Sequence, residues 1–271
     1  MKSSPGNKSR ASALSRGLSL NGILVRHCSG IEEFEACVRL EREVWKSADL
    51  DVVPIPLFVV ASKTGGQVLG AFQGRDLVGF TMAIAGWRNG KPLLHSHMTA
   101  VTGAHRNLGI GRQLKIFQRA DALARGISLI EWTFDPVMTK NAYFNFMRLG
   151  AIARSFVPNA YGITSSPLHA ALPTDRLLAE WHLSSKRVLR VLAGKRSTPE
   201  FDKKTIRISI PVDLEALRAK APGKAAQILG EIRAQFTSSL AKNYAATAVA
   251  RTRSGVDYLL EPWKGPREGS N

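Results

Sequence analysis

The chain is poor in cysteine. Cys28 and Cys37 are the only 2 in 271 residues. That is too few for a disulfide framework, and neither stands in a CxxC or Cys/His zinc spacing. A reduced, cytoplasmic setting is the expectation. Acids are also scarce: 21 Asp and Glu face 38 Lys and Arg, for a net charge of +17. The excess favours anionic partners, whether a phosphorylated cosubstrate, a nucleic acid or an acidic surface, and carries no information about fold. Part of it is local, because Lys2, Lys8, Arg10, Arg16 and Arg26 all precede the first acid, Glu32. No apolar run approaches the ~18 residues of a membrane span. The opening MKSSPGNKSRASALSRGLSLNG lacks the continuous apolar stretch of a secretory signal. Aromatics are few, at 7%, yet 44% hydrophobic and 22% charged residues make a globular composition.

Residues 1–22 are rich in Ser, Gly and basic side chains and predict a disordered tail. Ile23–Cys28 reads as a strand, and Ser29 as the N-cap of a helix over Ile31–Trp45. Residues 46–57, with Pro54 and Pro56, read as a loop. Phe58–Ser62, Gln67–Gln73, Leu77–Ala85 and Leu93–Val101 read as strands of an antiparallel meander. A helix follows over 109–125, with Ile110, Leu114 and Phe117 on its apolar face and Arg112, Lys115 and Arg119 on the other. Leu129–Asp135 predicts a strand, and Asn141–Leu149 a helix closed by Gly150. Farther on, Asp175–Leu192 predicts a helix, Thr205–Ile210 a strand, Gly223–Leu240 a long amphipathic helix, and Ala246–Arg251 with Val256–Glu261 a hairpin.

The most informative segment is Arg106-Asn107-Leu108-Gly109-Ile110-Gly111-Arg112, between a strand and a helix. The first turn of a helix carries backbone N–H groups without intrahelical partners, at the positive end of the dipole. Glycines there remove the Cβ atoms that would keep a ligand away. Such a turn can hold a pyrophosphate, with Arg106 and Arg112 adding charge-assisted contacts. The dinucleotide fingerprint does not fit, because its third glycine position is Leu114, and no Walker lysine is present. RxxGxG alone also fits an ordinary glycine-rich connection; the strand-to-helix setting favours the phosphate.

These residues resemble the (Gln/Arg)-x-x-Gly-x-(Gly/Ala) signature of the GNAT acyltransferases. The order strand, helix, meander, strand, signature, helix, strand, helix over about 23–155 is similar as well. Trp132–Ala151, Ala160-Tyr161-Gly162 and Leu172–Leu183 resemble a bacterial subgroup of GNAT-superfamily acetyltransferases. The resemblance implies an α/β (α+β) fold: the GNAT acyl-CoA N-acyltransferase fold, a mixed, mostly antiparallel sheet flanked by helices. The implied domains are a basic tail (1–22), a GNAT domain (23–168), a C-terminal α/β extension (169–264) and a frayed end (265–271). Acetyl-CoA is the implied cosubstrate, lying in a splay between the fourth strand (93–101) and the fifth (129–135). Backbone near Thr99 and Val101 would pair with the pantetheine. The amides of residues 106–112 would hold the pyrophosphate, and Asn141 would contact pantetheine. The implied reaction is attack of an amine on the thioester, with a base for the amine proton and an acid for the leaving thiolate.

His95 lies eleven residues before Arg106, about where some family members carry a general-base Glu. Imidazole suits that role near neutral pH. His97 follows on the same strand face, but the family needs no metal and none is expected. Asp135, sharing a face with Glu131 and Thr133, is a second candidate base, or simply a turn-capping carboxylate. The sequence departs from the family at Phe146, four residues before Gly150, where many members place an acidic Tyr. Tyr143 is the substitute candidate. Thr174-Asp175 reads as an N-cap, with Asp175 and Arg176 also able to line an acceptor pocket. Trp181 reads as core, and the basic cluster at 186–196 as a solvated helix face.

The leading expectation is therefore an acetyltransferase acting on an amine of a small molecule or protein. Its rivals are a non-catalytic acyl-CoA sensor and a basic nucleic-acid-binding protein on the same scaffold. The helix at 223–240 either closes the fold or forms a homodimer surface.

Overall fold

The computed structural model describes residues 17–46, 51–162, 173–195 and 202–264. The chain divides into two compact units, Met1–Ile130 and Glu131–Asn271. The division expected after residue 168 thus falls within the second unit. The tail expected over residues 1–16 and the frayed end over 265–271 lie outside the described residues.

The first unit contains β1 (Leu18–Leu20), β2 (Ile23–His27), α1 (Gly30–Trp45), α2 (Ile55–Lys63), β3 (Gln67–Gln73), β4 (Asp76–Arg88), β5 (Lys91–Val101) and α3 (Ile110–Ala124). The strands follow chain order and every pairing is antiparallel. Helices cover both sheet faces, which is why six of the seven residues of β3 are buried. Phe34, Cys37 and Leu40 of α1 and Phe58 of α2 pack with Val68, Phe72, Phe80 and Met82. Ile110, Leu114 and Phe117 of α3 pack with Val25, Leu69, Ala71 and Val78.

Two readings change here. Residues 18–20 belong to a strand paired with Ile23–Val25, so the expected tail does not reach residue 22. The composition of Phe58–Ser62 predicts a strand, but the segment is helical. Extended Pro54 caps α2, and Pro56 lies in its first turn, where no N–H is needed. Phe58 and Ala61, three apart, supply its buried stripe; a short apolar run does not by itself choose between helix and strand. Ser29 takes the N-cap position of α1 without a side-chain cap bond. Instead, its N–H donates to Glu33 Oε2 at 2.8 Å, and Arg26 grips the same carboxylate at 2.9 and 2.7 Å.

β6 (Leu129–Phe134) crosses the division. The second unit continues with α4 (Thr139–Tyr143), prolonged by a π-helical turn (Phe144–Leu149), then β7 (Ile152–Val157), β8 (Arg176–His182) and α5 (Lys186–Leu192). β9 (Ile206–Pro211), α6 (Leu214–Lys220), α7 (Pro222–Ala241), β10 (Tyr244–Arg251) and β11 (Gly255–Pro262) complete it. The strand order is β6-β8-β7-β10-β11-β9. Gly150 ends the π turn at φ 78°, a left-handed position that suits glycine.

The helix expected over Asp175–Leu192 is instead a strand followed by a short helix. Leu177, Ala179 and Trp181 are all fully buried, the alternation of a strand, and β8 pairs antiparallel with β7. Pairing to a partner strand overrides the helical leaning of Leu, Ala and Glu. Thr174 and Asp175 consequently cap no helix: they tie residues 159–162 to the start of β8. The long helix α7 closes its own unit, burying Ile232, Phe236 and Leu240. Phe236 stacks on Phe156 at 5.7 Å and meets the Tyr258 ring edge at 5.1 Å. Arg187 leaves the solvated basic face, donating to the carbonyls of Gly150 and Thr247.

Candidate functional site

The glycine turn lies where the sequence puts it, between β5 and α3. Thr102 anchors it through its N–H to Val78 O at 2.9 Å. His105 is fixed on both ring nitrogens, by Thr102 Oγ1 at 2.8 Å and Gln73 Oε1 at 3.0 Å. Asn107 and Gly109 take left-handed conformations, φ 66° and 82°. Glycine is the residue that holds the second without strain. Gly109 is the N-cap of α3, its carbonyl accepting the Gln113 N–H at 3.1 Å. No side chain caps this helix and no acid lies in its first turn. A Cβ at Gly109 or Gly111 would meet nothing within 4 Å, so the turn opens outward. Leu108 projects from it at 62% exposure, and Arg106 is exposed beside it.

β5 leads into this turn and carries His95, His97, Thr99 and Val101. Its register with β4 shifts between Met82–Met98 and Ala83–Ser96, so His97 has no opposite number. That is a β-bulge, which re-aims side chains and interrupts the simple alternation expected for the two histidines. Their rings lie 6.5 Å apart. His97 keeps surface open to solvent, but the protein around its imidazole and the charge of His95 hold its pKa below the ordinary value. Among the described residues no group of three or more His, Cys, Asp or Glu could hold a metal ion.

The sequence reading misplaces Lys115. It is 4% exposed on the inward side of α3, not on the polar face. Its Nζ donates to Ser96 Oγ of β5 at 2.7 Å and to Gln118 Oε1 at 3.0 Å. Burial alone pulls its pKa down to about 7. Ser96 Oγ lies 3.5 Å from Thr81 Oγ1, which is 2.8 Å from Thr99 Oγ1. A polar seam therefore runs from α3 beneath the bulged strand. Its sequence signal was a Lys one position after Leu114, which helical periodicity alone leaves ambiguous.

The other candidates belong to the second unit. Asp135 follows β6, and its Oδ1 accepts the Val137 N–H at 2.9 Å. Asn141 and Tyr143 lie on α4 and are exposed, Tyr143 at 42%. Phe146 is fully buried, its ring 5.9 Å from Phe134 and 6.0 Å from Tyr258. The position where the family signature places an acid is a core position in this chain. Sequence reasoning also passed over Arg218, which lies 3.7 Å from Asp135 Oδ2.

No family model matches the chain, and no curated protein matches it. Solved structures do. A protein assigned provisionally as an acetyltransferase, from Acinetobacter baylyi ADP1, is similar with a TM-score of 0.51 at 13% identity, over 60% of this chain and 94% of its own. A GNAT family acetyltransferase from Elizabethkingia anophelis with acetyl-CoA bound has a TM-score of 0.44 at 15% identity, over 60% of this chain and 99% of its own. Arabidopsis thaliana Naa50 in complex with a bisubstrate analogue has a TM-score of 0.47 at 12% identity, over 59% and 97%. At such identities the likeness to the Acinetobacter protein is one of fold. The chain adopts the mostly antiparallel sheet flanked by helices that the GNAT resemblance implies. No helix among the described residues is long and apolar enough to cross a membrane.

Proposed function

We propose that the protein is an acyl-CoA-dependent acyltransferase that moves an acetyl group from acetyl-CoA to an amine. The observation that carries the reading is the turn ahead of α3. Its helix start has neither a capping side chain nor an acid, and nothing inside the fold fills the space at Gly111. The backbone requires a left-handed residue at 109; at 111 the missing side chain leaves open space in which a ligand can approach the backbone. Helix-start amides with Arg106 and Arg112 suit a pyrophosphate. Thr99 and Val101 lie on the strand that enters the turn, where an extended pantetheine can pair with backbone.

In the proposed reaction the amine nitrogen attacks the thioester carbonyl. The C–N bond forms, the C–S bond breaks, and CoA leaves as its thiolate. His95 is the candidate base for the amine proton, and Asp135 is the second. Tyr143 is the candidate acid, and thiolate is a tolerable leaving group without one. The burial of Phe146 favours a second reading, an acyl-CoA-binding protein without turnover.

Calorimetric titration with acetyl-CoA tests the proposal, beside Gly111→Leu and Gly109→Trp variants. Saturable binding by the wild type and its loss in a folded Gly111→Leu protein is the expected result. No binding by folded wild type removes the reading. Binding without thioester cleavage across an amine panel selects the second one.

A further inference from the structure

Ser96 and Thr99 of β5 lie three residues apart, and a regular strand sends such a pair to opposite faces of the sheet. Here both reach one atom of β4. Thr81 Oγ1 lies 3.5 Å from Ser96 Oγ and 2.8 Å from Thr99 Oγ1. The residue passed over between them, His97, makes this possible. β5 pairs Met98 with Met82 and Ser96 with Ala83, so the alternation of faces changes phase at the bulge.

The hydroxyls beneath the bulge are buried and their hydrogens have a direction. Thr81 is fully buried and Ser96 is 3% exposed. Thr81 has one hydroxyl hydrogen, and it goes to the Met98 carbonyl at 2.9 Å. Thr99 therefore donates to Thr81. Ser96 Oγ accepts from Lys115 Nζ at 2.7 Å and from Gln118 Nε2 at 3.4 Å, while Gln118 Oε1 also accepts from Lys115 Nζ at 3.0 Å. Both neighbours of His97 are thus tied. Thr81 of β4 holds Met98 by its carbonyl, and Lys115 of α3 holds Ser96 by its hydroxyl.

Straightening β5 would turn Ser96 or Thr99 to the other face. If Ser96 turned, the amine of Lys115, in a residue 4% exposed, would lose its 2.7 Å partner. Taking a partner from a buried amine costs more than breaking a pair of neutral groups at the surface. The bulged register is the one that keeps this bond. Register matters at this place, because a slip of one residue carries side chains to the opposite face. His95 and His97 lie at and before the phase change, and Thr99 and Val101 lie beyond it.

We infer that Lys115 is a positioning residue: through Ser96 it holds the bulge in β5 and so fixes the offset of His95 and His97 from Thr99 and Val101. On the acyl-transfer reading, that is the offset of the candidate base from the backbone offered to pantetheine. This last step rests on that reading; the hold on the bulge does not.

The test is amide hydrogen exchange and histidine-ring NMR of the full-length protein as Lys115→Met, Ser96→Ala and the double variant. Each single variant should speed exchange at residues 96–98 by about tenfold or more, the scale of a hydrogen bond to a charged group. The His97 ring resonances should move with it, while those of His105, held by Thr102 and Gln73, stay in place. The double variant should go no further than the singles, because one contact carries the effect. Ser96→Ala keeps the test open if Lys115→Met fails to fold. Unchanged exchange at 96–98 in a folded variant, the same acceleration throughout β2–β5, or additive effects in the double variant overturns the inference. Acetyl-CoA titration of the same samples separates the two proposals. A local response without acetyl-CoA binding sinks only the acyl-transfer reading, and acetyl-CoA binding without a local response sinks only the role of Lys115.

Discussion

Replacing Lys115 by Met tests the account of the polar seam beneath β5. An unfolded lysine titrates near ~10.4, whereas the buried amine of Lys115 titrates at about 7. The folded value of a cation is lowered here, so between these values the unfolded chain binds more protons than the folded one. Stability therefore rises with pH across that window, and the full penalty of burying the amine is present below it. The slope reaches about 1.4 kcal/mol per pH unit, and is about half that near pH 7, where the folded amine is half protonated. From pH 7 to 9 the contribution sums to about 2 kcal/mol. Methionine has no proton to exchange and fills similar space. Urea unfolding of wild type and Lys115→Met at a series of pH values isolates this group, because the remaining titrations cancel in the difference. The wild-type free energy is expected to gain about 2 kcal/mol on the variant between pH 7 and 9. A difference flat with pH would show that Lys115 stays charged in the core, and the burial account would fail.

Three further outcomes are expected. Arg154 holds Glu180, which is 2% exposed and also receives His182 Nε2 at 3.2 Å. Arg154→Met should cost about 3–5 kcal/mol by leaving that carboxylate underpaired, and Glu180→Leu in the same chain should recover part of the loss in urea unfolding. Phe146→Tyr should lower stability by about 1–3 kcal/mol, because its hydroxyl would enter a ring-packed core; thermal unfolding reads the loss, and a faster acetyl transfer instead would contradict the core assignment. If His95 is the base, His95→Ala should reduce kcat by about 10²–10⁴ while acetyl-CoA affinity stays unchanged. A matching loss of affinity would make His95 a binding residue.

The contribution of Glu180 in the second unit has the same sign as that of Lys115, stability rising with pH, but in an acidic window. His182 and Arg154 hold the Glu180 carboxyl below the ordinary range against the cost of its burial. A lowered carboxylate pKa gives stability that is complete above the unfolded value and lost as pH falls through the folded one. Acid should therefore loosen this unit through Glu180, and stability measured below pH ~4 should fall less in Glu180→Leu than in the wild type.

Much of the first unit is legible from sequence by itself. The small, β-branched and aromatic residues of Gln67–Gln73, the stripe of Ile110, Leu114 and Phe117, and the glycines at 109 and 111 each act within a few residues of chain. Local sterics, strand-forming composition and a period of 3.6 are enough to place them. Gly150 as a helix end and the final hairpin are local in the same sense. Other features depend on neighbours distant in sequence. Phe58–Ser62 became a helix because extended Pro54 and a buried Phe58 made that the satisfied state. Arg176–His182 became a strand because β7 offered a ladder. The bulge at His97 exists only in register with β4. Helical periodicity assigns Lys115 to the polar face, but Ser96 of β5 and Gln118 take up its amine inside the fold. Likewise, the sequence separates Asp135 and Arg218 by a wide stretch of chain, and no periodicity relates them. Sequence alone determined the elements whose causes are local, the glycine turn ahead of α3 among them. The tertiary structure decided which charges are buried and which partners they meet, because desolvation and ion pairing depend on distances in space.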